Sequence, residues 1–279
     1  MPQVARIAGL FIYPIKGCGG IALESARLTE RGLQHDRRWM IVDPGGRFRT
    51  QRELPKLATI RLRPVGDEFG LRIGDAPEFR LAAGGGGDPV PVRVWRDPVQ
   101  AAAVDPAIDR ALTAWLGAPM RLVHFPDEVV RPCDPEFAPP GSHTGFADGF
   151  PLLVTSAGSL AELNDELRAV EAGPVPMDRF RPNVVLAEVP AGAEDRHAAL
   201  ELAEGSRLDF VKACDRCIVT TIDQASGIRT GDEPLTTLKR FRRNPRTGKP
   251  RFGQNAVPRL AAGATPRLTV GDPCILRDA

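Results

Sequence analysis

The stretch Ala213–Asp223 (ACDRCIVTTID) sets two cysteines, Cys214 and Cys217, directly before a β-branched run. Ile218–Ile222 (IVTTI) is β-branched throughout, which predicts a strand after the second cysteine. A Cys-x-x-Cys pair has three common readings. Half of a zinc site needs a second ligand pair, but Cys133 and Cys274 stand singly and none of the four histidines makes a pair. A thioredoxin-type redox pair sits at a helix N-terminus, where the dipole lowers the thiol pKa; strand sequence follows here instead. The third reading is a thiolate ligand for a soft metal that a non-protein group also holds. Arg216 favours a thiolate and Asp215 opposes one, so composition leaves the three open.

Outward from this stretch, short strands dominate. Arg6–Tyr13 (RIAGLFIY) is a strand ended by Pro14, and Trp39–Val42 (WMIV) is a second, stopped by the turn Asp43-Pro44-Gly45-Gly46. Leu57–Pro64 (LATIRLRP) alternates apolar and charged residues, as a half-buried strand does. Leu71–Ile73 and Val90–Trp95 continue the pattern, with the glycines Gly84–Gly87 between them as a hairpin loop. Pro106–Leu116 is a helix capped by Asp105, with Ile108, Leu112, Trp115 and Leu116 on one face. Leu152–Thr155 is a buried strand. Ser156–Leu167 follows as a helix, with Ser159-Leu160-Ala161-Glu162 as a capping box. Val184–Leu186 is a strand, and Pro234–Phe241 is a short helix with proline in its first turn. Arg267–Val270 and Cys274–Leu276 form a terminal hairpin. The Pro-rich stretch Arg131–Pro140 is an exposed linker or lid. The fold class is therefore α+β and β-rich, with barrel-like architecture and attached helices.

Composition narrows the function. The chain has 279 residues, enough for two domains, and a net charge of +2. That balance speaks against a dedicated nucleic-acid binder. No apolar run approaches the roughly 20 residues of a membrane span, and the N-terminus lacks the apolar stretch of a secretory signal. Five scattered cysteines, an odd number, argue against a disulfide framework and for a reducing, cytoplasmic setting.

Four blocks together resemble one family. They are IYPIKGCGG (Ile12–Gly20), HDRRWMIVD (His35–Asp43), RFRPNVV (Arg179–Val185) and ACDRCIVTTID, the last followed by EPLTTLKRFR and RFGQN. In this order they are similar to the molybdenum cofactor sulfurase C-terminal (MOSC) domain family, and within it to the amidoxime-reducing components and their bacterial relatives. The resemblance covers nearly the whole chain. It implies an N-terminal MOSC-type β-barrel domain over residues 1–125 and a MOSC molybdenum-cofactor domain over residues 126–279. It also implies a molybdenum cofactor (Mo-molybdopterin), a pterin dithiolene phosphate that holds molybdenum together with one protein cysteine. Pyridoxal phosphate binding is a further association of the family.

The family's metal ligand and catalytic cysteine is the second of the pair, which is Cys217 here; a coordinated thiol is deprotonated outright. Cys214 is read as a packing cysteine. By resemblance, Lys16, Gly17, Arg37, Asp148, Gly149, Arg181, Asn183, Asp215 and Asn255 contact the cofactor. The planar fork of Arg37 suits bidentate phosphate contact, and Arg181 and Asn183 supply a second fork and an amide to read the pterin edge. Gly17 offers only its backbone N–H where relatives often have Ser, and Asn255 stands where eukaryotic members have Tyr. The plainer alternatives are a solvated Lys16, an Arg37 packed on Trp39 and a surface pair of Arg181 with Asp178. Asp36 is expected to hold Arg37 in place, with a catalytic carboxylate as the alternative. The histidines form no recognisable triad, which sets a hydrolase aside.

The implied activity is a molybdenum-dependent oxidoreductase. It abstracts oxygen from a small N-hydroxylated or N-oxide substrate, with electrons from a separate ferredoxin- or flavoprotein-type protein and with no nucleic-acid or membrane partner. One rival is a cofactor-binding or persulfide sulfur-carrier module; another is a thiol–disulfide protein using both Cys214 and Cys217. The basic segment Lys239–Arg251 is read as a solvated face, with a docking surface for an acidic electron donor as the sharper alternative.

Overall fold

The computed structural model describes residues 3–84 and 86–278. Seven strands close into a barrel in the order Val184–Ala187, Leu152–Ser156, Arg251–Arg259, Arg207–Asp215, Ala199–Glu201, Pro273–Arg277 and Gln3–Ile12, and the last pairs back onto the first. In that closing antiparallel pair, Arg6 lies opposite Ala187 and Leu10 opposite Val184. Closure removes the exposed edges that would otherwise template aggregation. Leu152–Ser156 and Val184–Ala187 run parallel, so a crossover must join them, and the helix Ala157–Arg168 lies in it. The first strand buries Ala5 and Ile7, then Leu10 and Ile12. The register shift between Ile7 and Gly9 is what moves the inward face from odd to even positions.

A five-stranded sheet lies beside the barrel, in the order Pro89–Val94, Asp97–Ala103, Arg121–His124, Trp39–Val42, Ile15–Lys16. One face packs Met40, Val42, Val92, Val94, Val123 and Phe125 together. The main core joins Trp39, Ile41 and Leu122 of this sheet to barrel residues from Ala5 to Leu276. Each such large side chain taken out of water contributes roughly 1.5–3 kcal/mol. The helix Pro106–Leu116 forms as expected. The Asp105 carboxylate accepts the Ala107 N–H at 2.7 Å, Gly117 ends the helix at φ 77°, and Ile108 and Leu112 are buried. All five cysteines are free. Among the described residues, no helix is long and apolar enough to cross a membrane.

Several expectations need correction. Ile218–Thr221 is a 3-10 turn and not a strand. The hydroxyls of Thr220 and Thr221 donate back to the carbonyls of Cys217 and Ile218 at 3.0 and 2.8 Å, which favours a turn over a ladder. Leu57–Pro64 divides into a 3-10 turn begun by Pro55 and a strand that starts at Arg61. The capping residue of the Ala157–Arg168 helix is Ser156, whose hydroxyl accepts the Ser159 N–H at 3.1 Å, so the cap lies one turn before the expected box. Arg267–Thr269 and Pro273–Arg277 are not a hairpin, because they pair with Ser25–Thr29 and with the barrel respectively. The glycine run joins two different sheets and is not a hairpin loop; its Gly85 lies outside the described residues. The stretch Arg131–Pro140 is anchored and not a free lid, with Arg131, Cys133 and Ala138 all buried.

Candidate functional site

Where the five-stranded sheet meets the barrel, a cleft of about 200 Å³ opens, and every site residue expected from the sequence lines it. Lys16 and Gly17 come from the end of the Ile15–Lys16 strand, and Arg37 from the loop before Trp39. Asp148 and Gly149 come from the loop before Leu152, and Arg181 and Asn183 from the turn before Val184. Asp215, Cys217 and Asn255 come from the two longest C-terminal strands and the loop after the first of them.

The inner wall is built on Tyr13, the only tyrosine of the chain. Its buried ring carries the Arg37 and Arg181 guanidiniums at 4.4 and 4.2 Å from the centroid. Arg37 donates to Asp36 at 2.5 Å and to the Asn183 amide oxygen at 3.0 Å. Asn183 also accepts the Leu153 N–H at 3.1 Å and donates to the Phe11 carbonyl at 3.1 Å, so its amide is committed to the protein and acts on the site through Arg37. Asp36 accepts the Tyr13 N–H at 2.7 Å and holds Arg37, as expected. Arg181 donates to Gln224 at 3.2 Å. Gln224 and Gln51 exchange amide hydrogen bonds at 3.0 Å each way, and Gln51 donates to the Gly17 carbonyl at 2.8 Å. Gly17 has φ 81°, which its lack of a Cβ permits. Arg37 and Arg181 also have left-handed backbones, at φ 48° and 56°. Such conformations cost on the order of 1–3 kcal/mol each and persist where the surroundings over-determine them. Arg37 does not pack on Trp39, which meets Phe69 and His124 instead.

Electrostatics follow from this crowding. Burial, with Arg37 close by, pushes the Arg181 guanidinium down to about 10. Burial pushes the Tyr13 phenol up to about 12 against the pull of both arginines. Burial also raises Asp36, and Arg37 opposes it. Six cationic side chains line the cleft (Lys16, Arg37, Arg49, Arg52, Arg181, Arg216) against two carboxylates, Asp148 and Asp215.

On the adjoining wall, Lys16 donates to the Phe146 carbonyl at 2.7 Å and to Asp148 at 2.6 Å. Desolvation lowers Lys16. Desolvation works against the charge on Asp148 too, yet Lys16 and the Trp95 indole N–H hold its carboxyl well below the usual range. Buried Arg131 fixes this loop by donating to the carbonyls of Gly145, Ala147 and Asp148 at 3.0, 2.6 and 2.9 Å.

The strand Arg207–Asp215 delivers the cysteines. Cys214 accepts a hydrogen bond from Arg216 at 2.9 Å, and Arg216 also donates to the Phe180 carbonyl at 2.7 Å. Cys217 lies two residues past the strand, exposed, and lines the cleft. Asp215 accepts from Asn244 at 2.7 Å, and Asn255 donates to the Lys212 carbonyl at 3.2 Å. Two guanidinium N–H groups on these walls, the Nε of Arg49 and of Arg216, are buried without an acceptor.

Residues 4–119 match the MOSC N-terminal beta barrel domain and residues 141–274 match the MOSC domain. The mitochondrial amidoxime-reducing component 1 of Homo sapiens is 32% identical over 296 residues, covering 99% of this chain and 84% of that protein. This chain belongs to the MOSC-domain family. The Xenopus laevis protein of the same name is 29% identical, covering 91% of this MOSC chain and 78% of its own length. The molybdenum cofactor sulfurase of Oryza sativa subsp. japonica is 28% identical over 89% of this chain, which matches 32% of that larger protein. These relatives associate the MOSC family with molybdenum-cofactor chemistry. Sequence reasoning missed Tyr13, Gln51 and Arg131. Tyr13 had one signal, its place as the lone tyrosine inside a family-like block; the other two act through long-range contacts that leave no local mark.

Proposed function

We propose that this chain binds a molybdenum cofactor in the cleft and reduces N-hydroxylated or N-oxide compounds, with electrons from a separate ferredoxin- or flavoprotein-type donor. One observation carries the reading: an exposed free thiol and a cluster of cationic side chains face the same cleft. The residues suit a polyanionic pterin phosphate. Six cationic side chains line the cleft, of which Arg52, Arg181 and Arg216 make no ion pair among the described residues, and the Arg49 and Arg216 Nε groups have no hydrogen-bond acceptor; a buried donor left unpaired costs about 1–3 kcal/mol. Pyridoxal phosphate fits less well, because Lys16, the only lysine lining the cleft among the described residues, has its ammonium committed to Phe146 and Asp148.

In this reading Cys217 is the metal's protein ligand, and Arg37, Arg181 and the Gly17 N–H bind the phosphate and pterin acceptors. Asn183 and Asp36 orient Arg37, and Gln224 orients Arg181. Asp148, kept ionised by Lys16, accepts hydrogen bonds at neutral pH and does not donate a proton. Asp215 and Asn255, tied to Asn244 and the Lys212 carbonyl, shape the thiol wall. When bound, the metal supplies the redox chemistry at the substrate's N–O bond. The bond breaks, two electrons and two protons enter, and the reduced nitrogen compound and water leave.

The test is molybdenum content and benzamidoxime reduction by reduced methyl viologen, on protein made in cells that synthesise molybdopterin. Near-stoichiometric metal and turnover are expected, both abolished by Cys217→Ser and both retained by Cys214→Ser. Metal-free, inactive wild-type protein overturns the proposal. A persulfide on Cys217 in that protein supports the sulfur-carrier reading, and loss of activity in Cys214→Ser supports the thiol–disulfide one.

A further inference from the structure

From Pro234 to Gly271 the chain holds nine Lys and Arg and no Asp or Glu, although its net charge is only +2. Within this stretch, residues 243–250 form a built loop. Arg243 pairs with Pro250 in an antiparallel bridge, Asn244 N–H donates to the Lys249 carbonyl at 2.7 Å, and the Arg243 Nε donates to the Gly248 carbonyl at 2.9 Å. Arg243, Arg246 and Lys249 are exposed on it. Arg246 meets Glu136 at 2.8 Å; among the described residues, Arg243 and Lys249 have no carboxylate within ion-pair distance. Lys212 and Arg246 lie over the Phe137 ring at 3.9 and 5.1 Å, so an aromatic side chain sits among the cations. Arginine and aromatic residues are the types enriched where protein partners bind.

The loop is fastened to the cysteine segment. The Arg216 N–H donates to the Pro250 carbonyl at 2.7 Å, Asn244 donates to Asp215 at 2.7 Å, and Asp215 lies opposite Arg251 in the barrel. A partner seated on the loop therefore rests beside the segment that ends in the exposed Cys217. Nucleic acid is disfavoured because the net charge is only +2 and the cations are localised.

We infer that the 243–250 loop, with Lys212 and Phe137, is the docking surface for an acidic electron-transfer protein. The inference rests on the function proposed above, in which electrons come from a separate protein. A one-electron donor docks twice per turnover, delivering the two electrons that break the N–O bond, while two protons enter and water leaves. Surface charge of this kind mainly raises the association rate, by about tenfold to a thousandfold, and is screened by salt.

The probe is an acidic plant-type [2Fe–2S] ferredoxin. Its binding to the full chain is read by fluorescence anisotropy in low and high salt. Benzamidoxime reduction is driven in parallel by reduced ferredoxin and by reduced methyl viologen. The double variant Arg243→Glu/Lys249→Glu is expected to bind ferredoxin about tenfold more weakly or worse. Its ferredoxin-driven kcat/KM should fall alike, with the viologen rate and the thermal midpoint unchanged. Wild-type binding should weaken with salt more steeply than the variant's. Failure of wild-type protein to bind ferredoxin overturns the inference, as does equal binding by the variant. A defect of the variant confined to anionic vesicles or to RNA overturns it too. If wild-type protein is inactive even with viologen, the functional reading fails while the binding measurement still decides the docking surface.

Discussion

The inner wall of the cleft and the 243–250 loop carry similar cations under opposite conditions. Inside, Arg37 and Arg181 share a buried ring, hold strained backbones and are gripped by Asp36, Asn183 and Gln224. Outside, on the 243–250 loop, Arg243 and Lys249 stand in solvent with no carboxylate partner among the described residues. Side chains that must hold a ligand in one pose have their entropy removed before binding, which raises affinity. Side chains that meet a transient partner need only charge and access. Substitution separates the two: an inner-wall change is expected to disturb the fold as well as the site, and a change on the 243–250 loop is expected to leave the fold intact.

The largest effect is expected from Arg37→Ala. It leaves the Asp36 carboxylate, 5% exposed, without its cation. Breaking a buried pair from one side costs about 3–5 kcal/mol. Urea unfolding should show a loss of that order, partly recovered in Asp36→Asn/Arg37→Ala, where no buried charge is stranded. Equal stability of the single and double variants breaks the comparison.

Much of the cleft was legible, because its lining residues lie in short blocks of sequence. Lys16, Arg37, Arg181 and Cys217 were all placed from sequence, and all four line one cleft. The strands Trp39–Val42 and Leu152–Ser156 and the helix after Asp105 were also readable from local pattern. What failed was structure decided at long range. The Gly271-Asp272-Pro273 turn looks like a hairpin tip, but Ile7 intrudes, donating to the Asp272 carbonyl and accepting from the Gly271 N–H, so the two flanking strands part. Ile218–Ile222 reads as a strand by propensity, yet buried threonine hydroxyls fold it into a turn. Propensity averages over contexts, and here one context prevails.

A smaller effect, about 2–3 kcal/mol, is expected at Tyr13. Its folded-state pKa is raised from 10.0 to about 12 by burial. The stabilisation is therefore fully present below pH 10 and is lost as the pH rises through about 12. Because the chain has a single tyrosine, tyrosinate absorbance reports this site alone. The native midpoint should lie near 12 and the urea-unfolded midpoint near 10. A native midpoint near 10 shows the ring open to water and removes the rigid platform from the inner wall.

The smallest change in stability is expected where the loss of function is greatest. The Cys217 thiol is exposed and makes no hydrogen bond among the described residues, so Cys217→Ser removes no packing and strands no partner. Surface substitutions of this kind stay within about 0.5 kcal/mol. Cys214 differs, since its sulfur accepts from Arg216, which also anchors the Phe180 carbonyl. Thermal midpoints on cofactor-free protein separate the two cysteines. Cys217→Ser should match wild type, and Cys214→Ser should melt lower. Using cofactor-free protein matters, because a bound ligand stabilises the native state by mass action and would give Cys217→Ser an apparent deficit of its own. A deficit in Cys217→Ser without cofactor makes that cysteine structural.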